Sequence, residues 1–328
     1  MDAQALQDPP AGRREVLLKT LRAAAIGVGY MGRFHAQKLA ASYAADLIAV
    51  VDAEAARAKE VASELGCAAE TDFRKLLGRV DVACVAVPTE RHHDVVGACL
   101  EAGVHVLVEK PLARSVAEAD DLLARAAAKG LVLQVGHLER FNPAFRALAA
   151  EPGRPLFIDI ERLAPFKARG TDVDVVLDLM IHDLDLVLAL ARAEVEAVSA
   201  CGFRVLTDAI DIANARIEFA DGCVASVSAS RVSQSAVRKL RVFRREEYVS
   251  ADLQGHRLRH VRRNNGGIGE TETRFERADA LRLQTEAFLR AVREGGAPEV
   301  SGDEGRRALD LALRVGELIR ARLERASQ

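Results

Sequence analysis

The chain has 328 residues, more than one hydrophobic core usually accommodates, so two domains are the default expectation. Its 46 Lys and Arg residues nearly balance its 48 Asp and Glu residues, which argues against a net field that attracts nucleic acid or a membrane surface. With 49% hydrophobic and 29% charged residues, the composition is typical of a globular protein whose ligand is a small soluble molecule.

The first 20 residues are expected to form a disordered tail. Met1 to Arg14 is polar and contains Pro9, Pro10 and Gly12, so it lacks the apolar core of a secretory signal. No apolar run reaches the roughly 20 residues that a membrane-spanning helix requires. The cysteines form no C-x-x-C pair and mostly lie in apolar runs, which predicts buried thiols, no metal site and a reducing, cytoplasmic compartment: Cys67, Cys84, Cys99, Cys201 and Cys223.

Residues 21 to 135 alternate short apolar runs with amphipathic helical stretches, which is the rhythm of β-α-β units. The predicted strands are Leu21–Ile26, Leu47–Val51, Val82–Val87, Val104–Val108 and Leu131–Val135. The predicted helices are Arg33–Ala41, Ala53–Leu65, His93–Ala102 and Val116–Ala128. Continuous apolar strands are typical of a parallel sheet that helices cover on both faces, and they predict an α/β domain over residues 21–138.

The rhythm changes after Asn142, and residues 139–328 are therefore assigned to a second domain. An amphipathic helical segment, Val173–Ala191, is followed by several predicted strands and two closing helices. The strands are Val195–Val205, Ile212–Phe219, Val224–Ser230 and Leu240–Phe243, and the helices are Ala280–Arg293 and Glu304–Arg325. Strands that follow one another without intervening helices predict a largely antiparallel sheet in an α+β domain.

A glycine-rich turn joins the first predicted strand to the first predicted helix, with the sequence Gly27-Val28-Gly29-Tyr30-Met31-Gly32. Glycine permits a tight turn and close approach of a pyrophosphate, and the helix N-terminus supplies N–H donors and a positive dipole. Asp52 ends the second strand about 20 residues later, where a carboxylate would bind ribose hydroxyls and repel a 2′-phosphate. These residues predict a Rossmann domain that binds NAD in preference to NADP. A chance strand-to-helix turn is the alternative.

Glu109-Lys110-Pro111 follows a buried strand at the carboxyl edge of the predicted sheet, where ligands bind. Lys110 could hydrogen-bond a reacting hydroxyl there and favour its alkoxide-like form. A solvated Glu and Lys at a strand end explains the spacing equally well.

Asp178, His182 and Asp185 fall at positions i, i+4 and i+7 of the amphipathic segment and are expected to share one helical face. A histidine flanked by carboxylates can act as a general base. A surface histidine held by salt bridges is the alternative, and the lack of a third His or Cys nearby in the sequence disfavours zinc.

Two loops carry weaker signals for ligand binding. Pro88, Thr89 and His92 follow the strand Val82–Val87 and could line the nicotinamide side, although a capped loop explains them nearly as well. Arg140 and Asn142 open the second domain and could bind substrate hydroxyls, or they could belong to a loop that joins the domains.

Cationic side chains occur in three further places. Lys167 and Arg169 precede the Asp178 segment and could hold an anionic substrate group such as a diphosphate. Exposed loop cations are common, however. The basic runs Arg238–Arg245 and Arg257–Arg263 are predicted to be solvated strand faces, with phosphate contact as the less favoured reading.

In this order and at these separations, the three motifs resemble those of the glucose-fructose oxidoreductase, inositol dehydrogenase and MocA (Gfo/Idh/MocA) family, over nearly the whole chain after Leu21. The resemblance implies an α+β domain with an open sheet that forms the interface of a homodimer or homotetramer. It also implies hydride transfer at a sugar or cyclitol carbon, with Lys110 and His182 as the catalytic pair and Asp178 beside them. Glu109 and Lys110 would then contact the cofactor, and Asp185 the substrate. Met180 stands where members of the family often have glycine.

Three runs are most similar to the branch of this family that oxidises the 3-hydroxyl of UDP-N-acetylglucosamine, a step toward lipid A: Gly136–Pro143, Arg162–Phe166 and Val175–Asp183. That resemblance implies a nucleotide-sugar substrate, whose diphosphate Lys167 and Arg169 would bind. One alternative is an inositol or aldose dehydrogenase that uses the same residues. A non-catalytic NAD-binding regulatory protein is the other, and the presence of both Lys110 and His182 argues against it.

Overall fold

Two β-sheets, one parallel and one mixed, organise the computed structural model, which describes residues 20–167, 173–264 and 267–326. Residues 1–19 of the predicted tail and Arg169 therefore lie outside the described residues. Among the described residues, none of the helices has the combination of length and apolar character needed to span a membrane. All five cysteines are free thiols, and Cys84, Cys99 and Cys223 are buried.

The first sheet has six parallel strands in the order β3-β2-β1-β4-β5-β6, which confirms the predicted α/β domain. Its strands are β1 (Leu21–Ile26), β2 (Ala45–Val51), β3 (Ala68–Glu70), β4 (Val82–Val85), β5 (His105–Val108) and β6 (Leu133–Val135). Its helices are α1 (Tyr30–Ala40), α2 (Ala55–Leu65), α3 (His92–Glu101) and α4 (Val116–Ala128). The short edge strand β3 was not predicted, because Ala-Ala-Glu carries no strand pattern.

Successive residues of β1 point to opposite faces of this sheet, as the two-residue period of a strand requires. Ala24 and Ile26 face a core that contains side chains of α3 and α4, whereas Ala23 and Ala25 face one that contains side chains of α1. The sheet is therefore buried on both faces, which explains why its strands are continuously apolar.

The second sheet has eight strands in the order β14-β13-β12-β11-β7-β10-β9-β8 and is antiparallel except for the pair of β7 and β10. The strands are β7 (Phe157–Leu163), β8 (Val195–Phe203), β9 (Ile212–Phe219), β10 (Val224–Ser230), β11 (Val237–Arg244), β12 (Glu247–Asp252), β13 (Arg257–Asn264) and β14 (Gly267–Arg274). The predicted antiparallel sheet is confirmed. Sequence reasoning missed β7, β12 and β14, because their charged residues hide the apolar alternation.

Four helices belong to the second half of the chain: α5 (Pro143–Ala150), α6 (Ile181–Ala191), α7 (Ala280–Glu294) and α8 (Gly302–Ala326). Side chains of α6 and α8 form the core on one face of the mixed sheet. On the opposite face the side chains of β9 are exposed at every second position, so that face is open. α7 instead packs Phe288 and Leu289 against β1 of the parallel sheet. The assignment of residues 139–328 to one domain stays a prediction.

The prediction of one regular helix over Val173–Ala191 is wrong in its first part. Val176–Met180 forms a π-helical turn, and α6 begins only at Ile181. Because hydrogen bonds in a π-turn reach one residue further than in an α-helix, Asp178 and His182 are not related by the regular i, i+4 spacing that the sequence reading assumed. The site geometry must therefore come from the three-dimensional contacts.

A buried ion-pair network joins α6, the mixed sheet and the turn between the domains. The guanidinium of Arg162 on β7 donates to both carboxylate oxygens of Asp183, at 2.7 to 3.0 Å, and to Glu139 Oε1 at 3.1 Å. Arg162 is 4% and Asp183 1% exposed. Because Asp183 lies in the first turn of α6, this network fixes where His182 projects.

We expect Asp183→Ala to lower the free energy of unfolding by about 3–5 kcal/mol, because it leaves the Arg162 charge buried without its bidentate partner. Urea denaturation followed by circular dichroism measures the change. Glu270→Ala is the control, since it breaks only the exposed pair with Arg259 on β13 and should leave unfolding unchanged. Equal stability of the two variants would contradict the role given to the network.

Candidate active site

The glycine turn has the geometry of a phosphate cradle. Gly27 has φ +81°, and a Cβ added there would lie 2.7 Å from the Ala86 carbonyl oxygen. A Cβ on Gly32 would lie 1.6 Å from the Gly27 carbonyl oxygen, so only glycine lets α1 pack this closely. A Cβ on Gly29 would meet no described atom within 4 Å. The first and third glycines thus shape the backbone, and the middle one leaves open space.

The open space beside Gly29 lies at the N-terminus of α1. Gly29 is the N-cap of this helix and provides no side-chain hydrogen bond to its first turn, which Tyr30 and Met31 begin. The positive end of the helix dipole at that turn therefore favours an anion.

A cleft of about 660 Å³ extends from the glycine turn to Asp52. Asp52 is 8% exposed, and its carboxylate accepts hydrogen bonds from the Val28 N–H at 3.0 Å and the Glu54 N–H at 2.9 Å. Arg57 Nη1 donates to the same carboxylate at 3.1 Å. Asp52 therefore holds the turn and also lines the cleft. The glycines, the helix N-terminus and this carboxylate together fit a dinucleotide.

The opposite wall of the cleft includes Pro88, whereas Thr89 begins a 3-10 turn beside it. The buried ring of His92 lies between two backbone carbonyl oxygens, Nδ1 2.8 Å from that of Pro111 and Nε2 3.0 Å from that of Val87. Burial lowers the pKa of His92. Its ring therefore fastens two backbone segments, which favours the capped-loop alternative over a cofactor contact for this residue.

Glu109 forms a buried ion pair with His35 of α1, a residue that the sequence reading did not select. The distance from His35 Nε2 to Glu109 Oε1 is 2.7 Å. Burial opposes the charged form of His35, but contacts with Cys84 and Glu109 raise its pKa to about 10. Burial also opposes charge on Glu109, yet His35 lowers the pKa of that carboxyl. Glu109 thus connects the Glu-Lys-Pro segment to α1, the helix that begins at the glycine turn.

Lys110 extends from this segment to the π-turn. Its Nζ donates to the Asp178 carbonyl oxygen at 2.7 Å and lies 3.5 Å from Asp178 Oδ1. Burial lowers the pKa of Lys110, while Asp178 and Glu109 act in the opposite direction. Asp178 therefore restrains the ammonium group of Lys110 by its backbone as well as by its carboxylate.

His182 lies at the second position of α6 with its ring half-buried. Its Nδ1 is buried and has no hydrogen-bond partner among the described residues. Burial lowers the pKa of His182 well below 6.5, and the positive charges of Lys110 and Arg162 lower it further. The imidazole is therefore neutral at neutral pH and can accept a proton through Nε2, which the buried Nδ1 leaves as the reachable nitrogen.

The polar partners of His182 differ from those expected. Asp178 contacts Lys110, and Asp185 is 1% exposed and bound to Arg140, with distances of 2.7 and 3.0 Å. Arg140 also donates to Glu304 on α8 at 2.8 Å. These contacts occupy Arg140 and Asp185, so the expectation that both bind substrate directly is not supported by the geometry. They join the domains instead.

Asn142 and the cationic loop complete the set of predicted residues. Asn142 is 6% exposed, caps α5 by accepting from the Ala144 N–H, and donates to the Leu253 carbonyl oxygen at 2.8 Å. These contacts favour the alternative in which Asn142 belongs to a loop that joins the domains, because both polar atoms of its side chain already have protein partners. Lys167 is exposed, and Arg169 lies outside the described residues.

His137, a residue to which sequence reasoning assigned no role, lies beside His182. The two ring centroids are 6.2 Å apart with planes at 88°. His137 is 1% exposed, neither of its ring nitrogens has a hydrogen-bond partner among the described residues, and burial lowers its pKa. Its proximity to His182 depends on the packing of the turn after β6 against α6, which no local pattern reveals.

Glu151, Glu247 and His260 form a separate cluster at the far end of the mixed sheet, with possible ligand atoms within 4.8 Å of one another. Arg244 Nη1 already lies 2.8 Å from Glu151 and 3.1 Å from Glu247. Arg262 also pairs with Glu247, so two cations of the chain balance the two carboxylates, and the cluster is an ion-pair network of the sheet.

Comparison with known proteins agrees with this architecture. Residues 21–137 match the model of the GFO_IDH_MocA oxidoreductase family with an NAD-binding Rossmann fold, and residues 153–248 match a GFO/IDH/MocA C-terminal domain. The chain is 41% identical over 312 residues to a UDP-N-acetylglucosamine 3-dehydrogenase from Acidithiobacillus ferrooxidans, covering 93% of this chain and 99% of that protein. A solved structure of that enzyme superimposes with a TM-score of 0.89 at 40% identity, over 92% of this chain and 98% of the other.

A second relative is the scyllo-inositol 2-dehydrogenase (NAD(+)) of Bacillus subtilis, which is 30% identical over 306 residues, 86% of this chain and 89% of that protein. Both relatives are dehydrogenases, and both are similar along both domains. The chain therefore belongs to the GFO/IDH/MocA family of oxidoreductases with an NAD-binding Rossmann fold.

Proposed function

We propose that the protein oxidises the 3-hydroxyl of UDP-N-acetylglucosamine to the 3-keto sugar with NAD. The observation that carries the chemistry is that the Asp178 carbonyl oxygen holds Lys110 Nζ at 2.7 Å in the turn just before His182. Burial lowers the pKa of His182, and the positive charge of Lys110 lowers it further. The 41% identity with the UDP-N-acetylglucosamine 3-dehydrogenase of A. ferrooxidans supports the substrate.

His182 is the proposed general base. Its neutral imidazole accepts the proton of the sugar hydroxyl at Nε2, because Nδ1 is enclosed by protein. Lys110 directs its ammonium group at the same hydroxyl and stabilises the negative charge that develops on oxygen as the proton leaves. The Asp178 carbonyl holds Lys110 Nζ at 2.7 Å, so the proposed role of Asp178 is to position Lys110.

NAD bound in the cleft would supply the acceptor for the hydride of the sugar carbon. The proposed cofactor residues are Gly27, Gly29, Tyr30, Met31 and Gly32 at the pyrophosphate, Asp52 at the adenosine ribose, and Pro88 and Thr89 at the rim of the cleft. Glu109 contributes indirectly, since its ion pair with His35 fixes α1 against the Glu-Lys-Pro segment. These contacts would hold the cofactor and keep Lys110 and His182 in fixed positions relative to it.

Oxidation of a free cyclitol is the second candidate function, and the 30% identity with the scyllo-inositol 2-dehydrogenase of B. subtilis favours it. The same pair, Lys110 and His182, would serve an inositol hydroxyl equally well. The two candidates differ in whether the substrate carries a diphosphate.

The biological setting is part of the same proposal. The 3-keto product would feed amino-sugar synthesis for lipid A in the cytoplasm, where the free thiols are stable. We propose that two or four copies associate through the open face of the mixed sheet. This face carries the partly exposed rings of Phe157, Phe243 and Tyr248, which contact one another, beside the ion pairs of Arg241 with Asp159 and Glu161.

Substrate choice is tested by absorbance of reduced nicotinamide after purified protein and NAD are mixed with UDP-N-acetylglucosamine, myo-inositol or glucose. An amine-acceptor system is added to pull the equilibrium toward product. We expect reduction with the nucleotide sugar alone. Reduction with a free polyol alone would exclude the nucleotide-sugar substrate while retaining the dehydrogenase.

Lys110→Ala and His182→Ala should each lower kcat by about 10²–10⁴-fold, because each removes a group that acts on the reacting hydroxyl. NAD affinity, measured by calorimetry, should stay near the wild-type value. Lys129→Ala at the end of α4 is the matched surface control and should retain full activity. Loss of NAD binding in both variants would instead assign the two residues to the fold.

The pH dependence of kcat/KM should reflect the two lowered pKa values. His182 must be neutral, so its lowered pKa keeps activity constant as the pH falls from 8 to the ordinary histidine value of 6.5, and the acid limb appears only below that value. Lys110 must be protonated, so the alkaline limb should lie below 10.5. An acid limb centred above pH 6.5 would contradict the assignment of His182.

A further inference from the structure

A row of polar side chains crosses the mixed sheet at the end nearest the active site. In the register of β7 and β11, Arg238 lies directly opposite Arg162, so both side chains project from the face that the helices cover. The Leu253 N–H donates to the Arg238 carbonyl oxygen at 2.9 Å, and the turn 253–256 then brings His256 to the same end of the sheet. The row thus leads from the buried network of Arg162 outward to solvent.

A groove of about 880 Å³ lies along the outer part of this row. Arg238 and His256 line it on the sheet side, and Arg277 and the N-terminus of α7 line it on the other. The turn after Leu138 closes its inner end through Glu139. The groove is separate from the cleft at Asp52, since no described residue lines both.

The charges in the groove favour an anionic occupant. Glu139 already accepts from Arg162 at 3.1 Å and from Arg238 at 2.9 Å, and Asp279 pairs with Lys38 at 2.7 Å. Arg277 is exposed, and among the described residues it has no carboxylate at ion-pair distance. Because its carboxylates are matched by other cations, the groove presents the unpaired charge of Arg277 and the half-exposed guanidinium of Arg238 to a ligand.

His256 adds a polar ring to the wall of the groove. It lines the groove with φ +50°, and its Nδ1 is buried without a hydrogen-bond partner among the described residues. Because Nδ1 is enclosed by protein, Nε2 is the ring nitrogen of His256 that a ligand in the groove can reach. A phosphoryl oxygen or a nucleobase carbonyl would accept a hydrogen bond from that nitrogen.

Ion pairs connect the groove to the neighbourhood of His182. Arg238 and Arg162 share Glu139, and Arg162 holds Asp183, the neighbour of His182. In UDP-N-acetylglucosamine the diphosphate is attached at C1, with only C2 between it and the C3 that carries the reacting hydroxyl. A sugar whose 3-hydroxyl meets His182 therefore keeps its diphosphate near that residue, and the network of Arg162, Glu139 and Arg238 leads from there to the groove.

We propose that this groove binds the diphosphate and nucleoside of the nucleotide-sugar substrate, through Arg238, His256 and Arg277. The inference rests on the proposed function and deepens it by placing the nucleotide. It gives the anion-binding role to residues of the sheet edge and of the α7 N-terminus, in place of the exposed loop cation Lys167.

The test is calorimetric titration of the full-length protein with UDP, with NADH at saturation so that the Rossmann cleft is not open to the nucleotide. Arg277→Ala should weaken UDP binding on the order of tenfold, the effect of losing one hydrogen bond to a charged group. Arg274→Ala is the matched control: Arg274 is exposed on β14, pairs with Glu272 and lies outside the groove, so UDP binding should not change. Lys167→Ala is run beside them.

The outcomes distinguish a failure of the groove inference from a failure of the proposed function. Weaker UDP binding in Arg277→Ala alone supports the groove, whereas weaker binding in Lys167→Ala alone overturns it in favour of the loop. If the wild type oxidises UDP-N-acetylglucosamine but Arg277→Ala binds UDP normally, or if UDP does not bind at all, the groove inference fails and the proposed function stands. If the wild type neither binds UDP nor oxidises the nucleotide sugar, the proposed function itself fails.

Discussion

The buried guanidinium of Arg162 is the interaction on which the arrangement of the site depends. It brings together β7, the first turn of α6 through Asp183, and the turn between the domains through Glu139. A buried cation in contact with two carboxylates tolerates little displacement, because any movement leaves charge without a partner in a medium of low dielectric. The position of His182 is set by this electrostatic constraint as much as by apolar packing.

The same constraint explains the protonation states in the site. Burial lowers the pKa of the His182 imidazole, and the positive charges of Lys110 and Arg162 add to this effect, so His182 stays neutral. The only carboxylate beside Lys110 in the π-turn, that of Asp178, is 3.5 Å away, while the backbone carbonyl is the closer acceptor. Lys110 is therefore held in place without the full neutralisation that a close bidentate carboxylate would cause.

Much of the fold and part of the site could be predicted from the sequence, because those features depend on local patterns. The glycine turn, Asp52 and Glu109-Lys110 follow apolar strands whose ends can be located from composition alone. The contact between Asp185 and Arg140 could not be predicted, because a polar residue on a helix face looks the same whether it binds a substrate or another side chain 45 positions away.

The basic run Arg238–Arg245 is a second case in which the local sequence pattern does not reveal the contacts of a side chain. Strand alternation identifies which of its residues share a face, but not that Arg238 extends beyond the covering helices while Arg244 is enclosed. Likewise, the π-turn lies directly before α6, and helix propensity does not predict the extra residue that a π-turn contains. Contacts made by strand register and helix docking therefore decided the residues that sequence reasoning missed or misassigned.

α7 follows the mixed sheet in the chain but packs against the parallel sheet, and this limits where the chain can be cut into fragments. Phe288 and Leu289 complete the apolar layer over β1, and α8 then contributes Leu309 to the core on the opposite face of that sheet. A fragment that ends at Leu138 would expose both apolar surfaces to water. The parallel sheet thus needs the last two helices to complete the apolar layers on both of its faces, and ribosomal synthesis delivers those helices last.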